Sequence, residues 1–175
     1  MSASAGRRSP SPVPAIGKGP LPNGCPRTAH ALGRSFRCGV HAASGGDEAA
    51  LAFAWQELAD SAGAEHADRL LAALIGFVET VETTAQRPIV VLPRACAGLC
   101  RDECLAVSIV TASQAGACPA LKACAFALLA SADVEPCLTA ARELGDRLKD
   151  AGRTLPSTLI CNAAAFVDPT GGSRH

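Results

Sequence analysis

ADRLLAALIGFVETVETTAQ, residues 67–86, is the stretch that decides the fold class. Ala67, Leu70, Leu71, Leu74, Ile75, Val78, Val81 and Ala85 recur in it at helical spacing, so one face of a helix carries the apolar side chains. No other part of the chain is as clearly periodic, and the pattern predicts a helix over residues 65–86.

Working outward toward the N-terminus, Asp47 is a candidate N-cap, with Glu48 in the first turn, for a helix ending near Asp60. Ser61 and Gly63 supply its stop. Toward the C-terminus, Pro88 ends the periodic helix. PIVVLP, residues 88–93, then reads as a short extended connector or strand whose second proline opens the next helix. That helix is placed at residues 94–111, and a fourth runs to Leu129 after a break at Gly116 and a restart at Pro119. Asp133 caps a fifth, in which Val134, Leu138, Ala141, Leu144 and Leu148 form the stripe of a bundle-packed helix. Pro136 is tolerated in its first turn, whereas Gly145 costs about 1 kcal/mol relative to alanine. Gly152 closes it, and Pro156 starts a sixth with Leu159, Ile160, Ala163 and Val167 on one side.

The expectation is an all-α fold. A compact bundle of five or six helices over residues 47–167 is preceded by a disordered tail, 1–46, and followed by a flexible C-terminus, 168–175. The alternative is a small α/β fold with strands near residues 89–92 and 107–112, where IVVL and VSIVTAS are β-branched.

Composition agrees with helices. A chain of 175 residues fits one domain, and 49% hydrophobic residues with 3% aromatics leave alanine, leucine and cysteine to fill the interior. Small side chains favour close helix packing over a β-sandwich. The formal charge of zero hides an asymmetry: six basic residues and no acid precede Asp47, while 10 basic and 16 acidic residues follow from it. A body of net −6 is a poor nucleic-acid binder, so no nucleic-acid partner is expected. The most apolar run, from Cys124, meets Asp133 before the roughly 18 residues a membrane span needs. No membrane association is expected either.

Pro10, Pro12, Pro14, Pro20, Pro22 and Pro26 mark the basic tail as a segment without a core of its own. A cytoplasmic location is expected. Organellar import is the alternative, because the tail is rich in arginine and serine and RSFRCG, residues 34–39, resembles a processing site. The prolines oppose an import helix, and GRRSPSP lacks the apolar segment of an export signal.

Nine cysteines, an odd number with no CxxC pair, point to reduced thiols rather than to a disulfide framework. CAGLCRDEC, residues 96–104, sets Cys96, Cys100 and Cys104 four residues apart. On a continuous helix these fall within about 80° of one another, on the apolar side, with Glu103 at its rim. Free cysteine is a common buried residue, so packing explains the spacing as well as chemistry does. Thiols at this spacing can also approach one soft ion, copper(I) or zinc, if Cys118, Cys124, Cys137 or Cys161 completes the set from a neighbouring helix. The spacing is similar to that of cysteine-rich helical bundles that store Cu(I) along their core. The likeness covers these nine residues, without repeated CxxxC elsewhere and with Met1 as the sole methionine. Cys118, before Pro119 at a helix start, is a further candidate for a reactive thiol.

Catalytic patterns are missing. His66 is the one histidine of the expected body, GGDE at 45–48 lacks an α/β setting, and no P-loop, GxGxxG or HExxH occurs. The leading expectation is a non-enzymatic helical module that binds a protein partner or itself. A thiolate metal-binding protein and a redox-sensing thiol protein, reacting at Cys96 or Cys100, are the alternatives.

Overall fold

The computed structural model describes residues 27–45 and 48–161. Within them the elements are α1 (Arg27–Gly45), α2 (Glu48–Ala62), α3 (Ala64–Thr84), α4 (Arg101–Ala115), α5 (Cys118–Leu129), α6 (Glu135–Asp150) and a 3₁₀ turn (Ser157–Leu159), with no strand. The all-α expectation holds.

Two sequential helix groups interlock. Helix α2 packs on α1 and α3, α5 packs on α4, and the groups join where α3 meets α6 and α1 meets α4. Helix α4 is the axis, touching α1, α5, α6 and the 3₁₀ turn. It is buried from Asp102 to Ala112. Leu105 and Ile109 are fully buried there, each contributing about 1.5–3 kcal/mol relative to exposure. Hence the β-branched run at 107–112 belongs to a helix buried on all sides, because burial overrides its strand propensity.

The stripes on α3 and α6 lie as expected at their centres, with Leu71, Ala85 and Val134 partly buried against the core and Ile75 half-buried. Ala67, Leu70, Leu74, Val78 and Val81 face the core from α3, joined by Phe77, while Leu138, Ala141, Leu144 and Leu148 do so from α6. Gly145 has a use the sequence did not disclose: a Cβ there would stand 2.7 Å from Ser113 Oγ of α4. Its small size lets the two helices close.

Four expectations need correction. First, the tail is not disordered up to residue 46, since residues 27–45 form α1 and bury Ala29, Leu32, Phe36 and Val40 at helical spacing. All six tail prolines lie at or before residue 26, and averaging that stretch with α1 concealed the stripe. The processing-site pattern at 34–39 falls inside this helix, with Ser35, Phe36, Arg37 and Cys38 buried. His30 and His41 also belong to α1.

Second, the third helix begins at Arg101 rather than at residue 94, so Cys96 and Cys100 stand outside it. Asp102 and Glu103 occupy its first turn, where carboxylates meet unpaired amides and the positive end of the helix dipole. Third, Val134, not Asp133, is the N-cap of α6. Fourth, the described part of the expected sixth helix, residues 156–161, forms only the turn Ser157–Leu159. Ala163, Val167, Asp47, residues 1–26 and the C-terminal segment 168–175 lie outside the described residues.

Candidate protein-interaction surface

Two adjacent acids at the start of α4 organise one end of the bundle. Glu103, fully buried, accepts Arg37 Nε at 2.7 Å and Nη2 at 3.0 Å, a two-pronged pair linking α4 to α1. Arg37 also donates to the carbonyls of Pro93, Cys96 and Gly98, so one guanidinium gathers the whole loop. Burial works against the Arg37 charge, but the hydrogen bond and charge of Glu103 outweigh it and hold its pKa above the ordinary value. Asp102 is paired in the same manner with Arg87, at 2.7 and 2.8 Å.

The same carboxylates hold the backbone. Val90 N–H donates to Asp102 and Leu92 N–H to Glu103, each at 2.9 Å, while Cys100 N–H donates back to Glu103 at 2.8 Å. On that side Val90 carbonyl accepts from Cys100 Sγ and Leu92 carbonyl from His41 Nε2. Residues 88–93 are thereby held extended without belonging to a sheet. The sequence reading of PIVVLP as an extended connector fits; its strand alternative does not.

Two large apolar side chains stand exposed near this network, Val90 at 42% and Phe126 at 59%. Arg87 connects their surroundings, since its guanidinium holds the Asp102 carboxylate that binds Val90 N–H and also donates to the Ala127 carbonyl, next to Phe126. Gln86 N–H donates to Leu129 carbonyl, fastening the loop to the end of α5. Residues 85–101 contain Arg87, Arg94 and Arg101 and no acid. Asp102 and Glu103, which follow directly, are engaged by Arg87 and Arg37.

The cysteine candidates are dispersed. Cys96 is in the loop, Cys100 is the N-cap of α4, Cys104 is buried on α4, exposed Cys118 opens α5, Cys124 is buried on α5 and Cys137 on α6. Cys161 lies between two of them, with Cys124 Sγ 3.7 Å from its carbonyl and its own Sγ 4.0 Å from the Cys104 carbonyl. Among the described residues, no three histidine, cysteine or acidic side chains are placed to hold a metal ion. The one-face arrangement fails because the helix starts too late to carry Cys96.

Thiol acidity follows burial. Cys137 is pushed up to about 12 by burial, and Cys124 up to about 11 by burial and neighbouring Cys161. Burial, opposed by the Glu103 backbone N–H and reinforced by the Glu103 charge, pushes Cys100 up to about 11. Burial also raises Cys38, against the pull of nearby arginines. Such thiols hold little thiolate near neutrality, the form that attacks and ligates.

A groove of about 690 Å³ runs between α3 and α6 over Ala72, Ala73 and Gly76. Arg69, Thr80, Thr139, Glu143 and Arg147 supply its polar groups, none of them histidine or cysteine. It offers no nucleophile and base pair.

Sequence reasoning missed the residues that matter most here. The sequence reading puts Arg37 in the tail and Glu103 at a helix rim, although both are buried, as is Asp102. Two adjacent acids opening an otherwise apolar run were the available signal. No helix among the described residues is long and apolar enough to cross a membrane. No family model, curated protein or solved structure matches the chain.

Proposed function

We propose that this protein is a non-enzymatic helical module that binds a protein partner at the end of the bundle where α4 begins. The observation that carries the reading is the pair of exposed apolar side chains, Val90 and Phe126, flanking one Arg87–Asp102 ion pair. Interaction surfaces combine apolar anchors with a polar rim, and aromatic and arginine residues are their usual energetic centres. Val90 sits on a loop immobilised by buried charge and Phe126 on helix α5, so little ordering entropy opposes binding. A thiolate metal function draws no support from the placing of the thiols among the described residues, and a redox function at Cys100 none from its raised pKa.

A photoreactive phenylalanine analogue at position 90 or 126 of the full chain tests the reading, with position 146 on α6 as control. Crosslinking to a discrete protein is expected from the first two positions. That protein, identified by mass spectrometry and purified, binds the full chain and loses affinity for the double variant Val90→Asp/Phe126→Asp. Equal crosslinking from all three positions, or unchanged affinity of the double variant, overturns it.

A further inference from the structure

Helix α5 is apolar nearly all the way round, yet one side of it is open. In CPALKACAFALL, residues 118–129, Lys122 is the single charge, and it turns to Glu135 at 3.7 Å. Leu121, Ala125, Leu128 and Leu129 face the core, with Cys124 buried at one edge of that face. Turning outward from Cys124, at about 100° per residue, Ala127, Ala123 and Phe126 follow at about 60°, 100° and 160°. Ala123 and Phe126 are exposed and Ala127 is half-buried. A helix without a polar face is ordinarily covered on every side.

The described chain ends at the border of this open side. Cys161 is its last residue; the N–H donates to Ser108 Oγ at 3.0 Å, and the carbonyl stands 3.7 Å from Cys124 Sγ. The residues that follow are NAAAFV, 162–167, apolar but for Asn162. We infer that this segment crosses the outer face of α5, setting Ala163, Ala164 and Ala165 over Ala127 and Ala123 and bringing Phe166 against Phe126. The lengths agree, since five extended residues reach about 17 Å and a helix with its side chains is roughly 10–12 Å across. Alanine facing alanine lets a backbone come close, and a pair of phenylalanines then shields the most exposed large apolar side chain. A tethered segment acts at an effective concentration of about millimolar, so it outcompetes a second copy of the chain at ordinary protein concentrations. This contact is independent of the proposed partner, which would displace the segment from Phe126 and find Val90 open.

Amide exchange in the full ¹⁵N-labelled chain tests the contact. The amides of Ala164, Ala165 and Phe166 are expected to exchange about tenfold or more below the rate of an unstructured peptide of the same sequence. Phe126→Asp and Phe166→Asp, each in the full chain, should return them to that rate while the amides of α4 keep theirs. Should Phe126→Asp fail to fold, Phe166→Asp decides alone. A photoreactive phenylalanine analogue at position 126 of the purified chain should crosslink within the same chain to residues 162–167, in a yield independent of protein concentration. Exchange at the unstructured rate, or protection that survives the variants, overturns the contact, as does crosslinking between two chains that rises with concentration. The proposed function is read separately, by crosslinks from position 90 to a discrete protein.

Discussion

Helices α4 and α6 are nearly equal in length, 15 and 16 residues, and both pair acids with basic residues, yet the pairs differ in kind. On α6, Arg147 lies 3.9 Å from Glu143 and Asp150, and Lys149 lies 3.6 Å from Asp146, all exposed and all within one turn. On α4, Glu103 and Asp102 are withdrawn from water and reach arginines 66 and 15 residues away. The α6 pairs decorate a helix that its apolar stripe already stabilises. The α4 pairs determine where a helix starts and which way a loop runs, since a buried charge must be matched and hydrogen-bonded.

Removing Arg37 should break this contrast most severely. Arg37→Met leaves Glu103 buried with a loop that has lost its three carbonyl contacts, and a loss of about 3–5 kcal/mol in denaturant unfolding is expected. A loss below about 1 kcal/mol would show that the pair is dispensable. Arg87→Met comes next, with about 1–3 kcal/mol expected, because Asp102 keeps the Val90 N–H. Faster exchange of the Val90 amide should accompany it, and an unchanged rate would deny that the pair holds the segment.

Buried thiols extend the comparison to uncharged groups. Cys100, Cys124 and Cys137 bind their protons more tightly in the folded chain than the ordinary value of 9.0 allows, reaching about 11, 11 and 12. The native state therefore holds more protons, and the stability these thiols contribute is complete below pH 9 and is lost as pH rises toward 11 to 12. The melting temperature should fall across that window, and Cys137→Ala should flatten the fall relative to the parent. At neutral pH an alkylating reagent should label exposed Cys118 well before Cys137, and simultaneous labelling would contradict the burial of Cys137. The smallest effect belongs to α6: Arg147→Ala should change unfolding free energy by no more than about 0.5 kcal/mol, and a loss resembling that of Arg37→Met would erase the distinction.

Legibility followed the same division. On α3 and α6 the apolar stripes were readable because local periodicity and burial coincide, and the break at Gly116 was readable because its φ of 65° suits glycine. Helix α4 misled because its charges are buried, so its polar positions mimicked a solvent face. Helix α1 was hidden for a compositional reason, lying directly behind six prolines. Spacing in CAGLCRDEC was real, but a helix was assumed beneath it, and the first five residues of that stretch belong to loop and cap.

The amino-acid sequence by itself determined an all-helical chain, most helix positions and the absence of familiar catalytic patterns, because these depend on contacts within a few residues. Tertiary structure alone decided that Arg37 reaches Glu103, that Asp102 and Glu103 start a helix, and that the same two acids pin the backbone of Val90 and Leu92. Those outcomes depend on which distant group arrives to match a buried charge, and no local pattern records that.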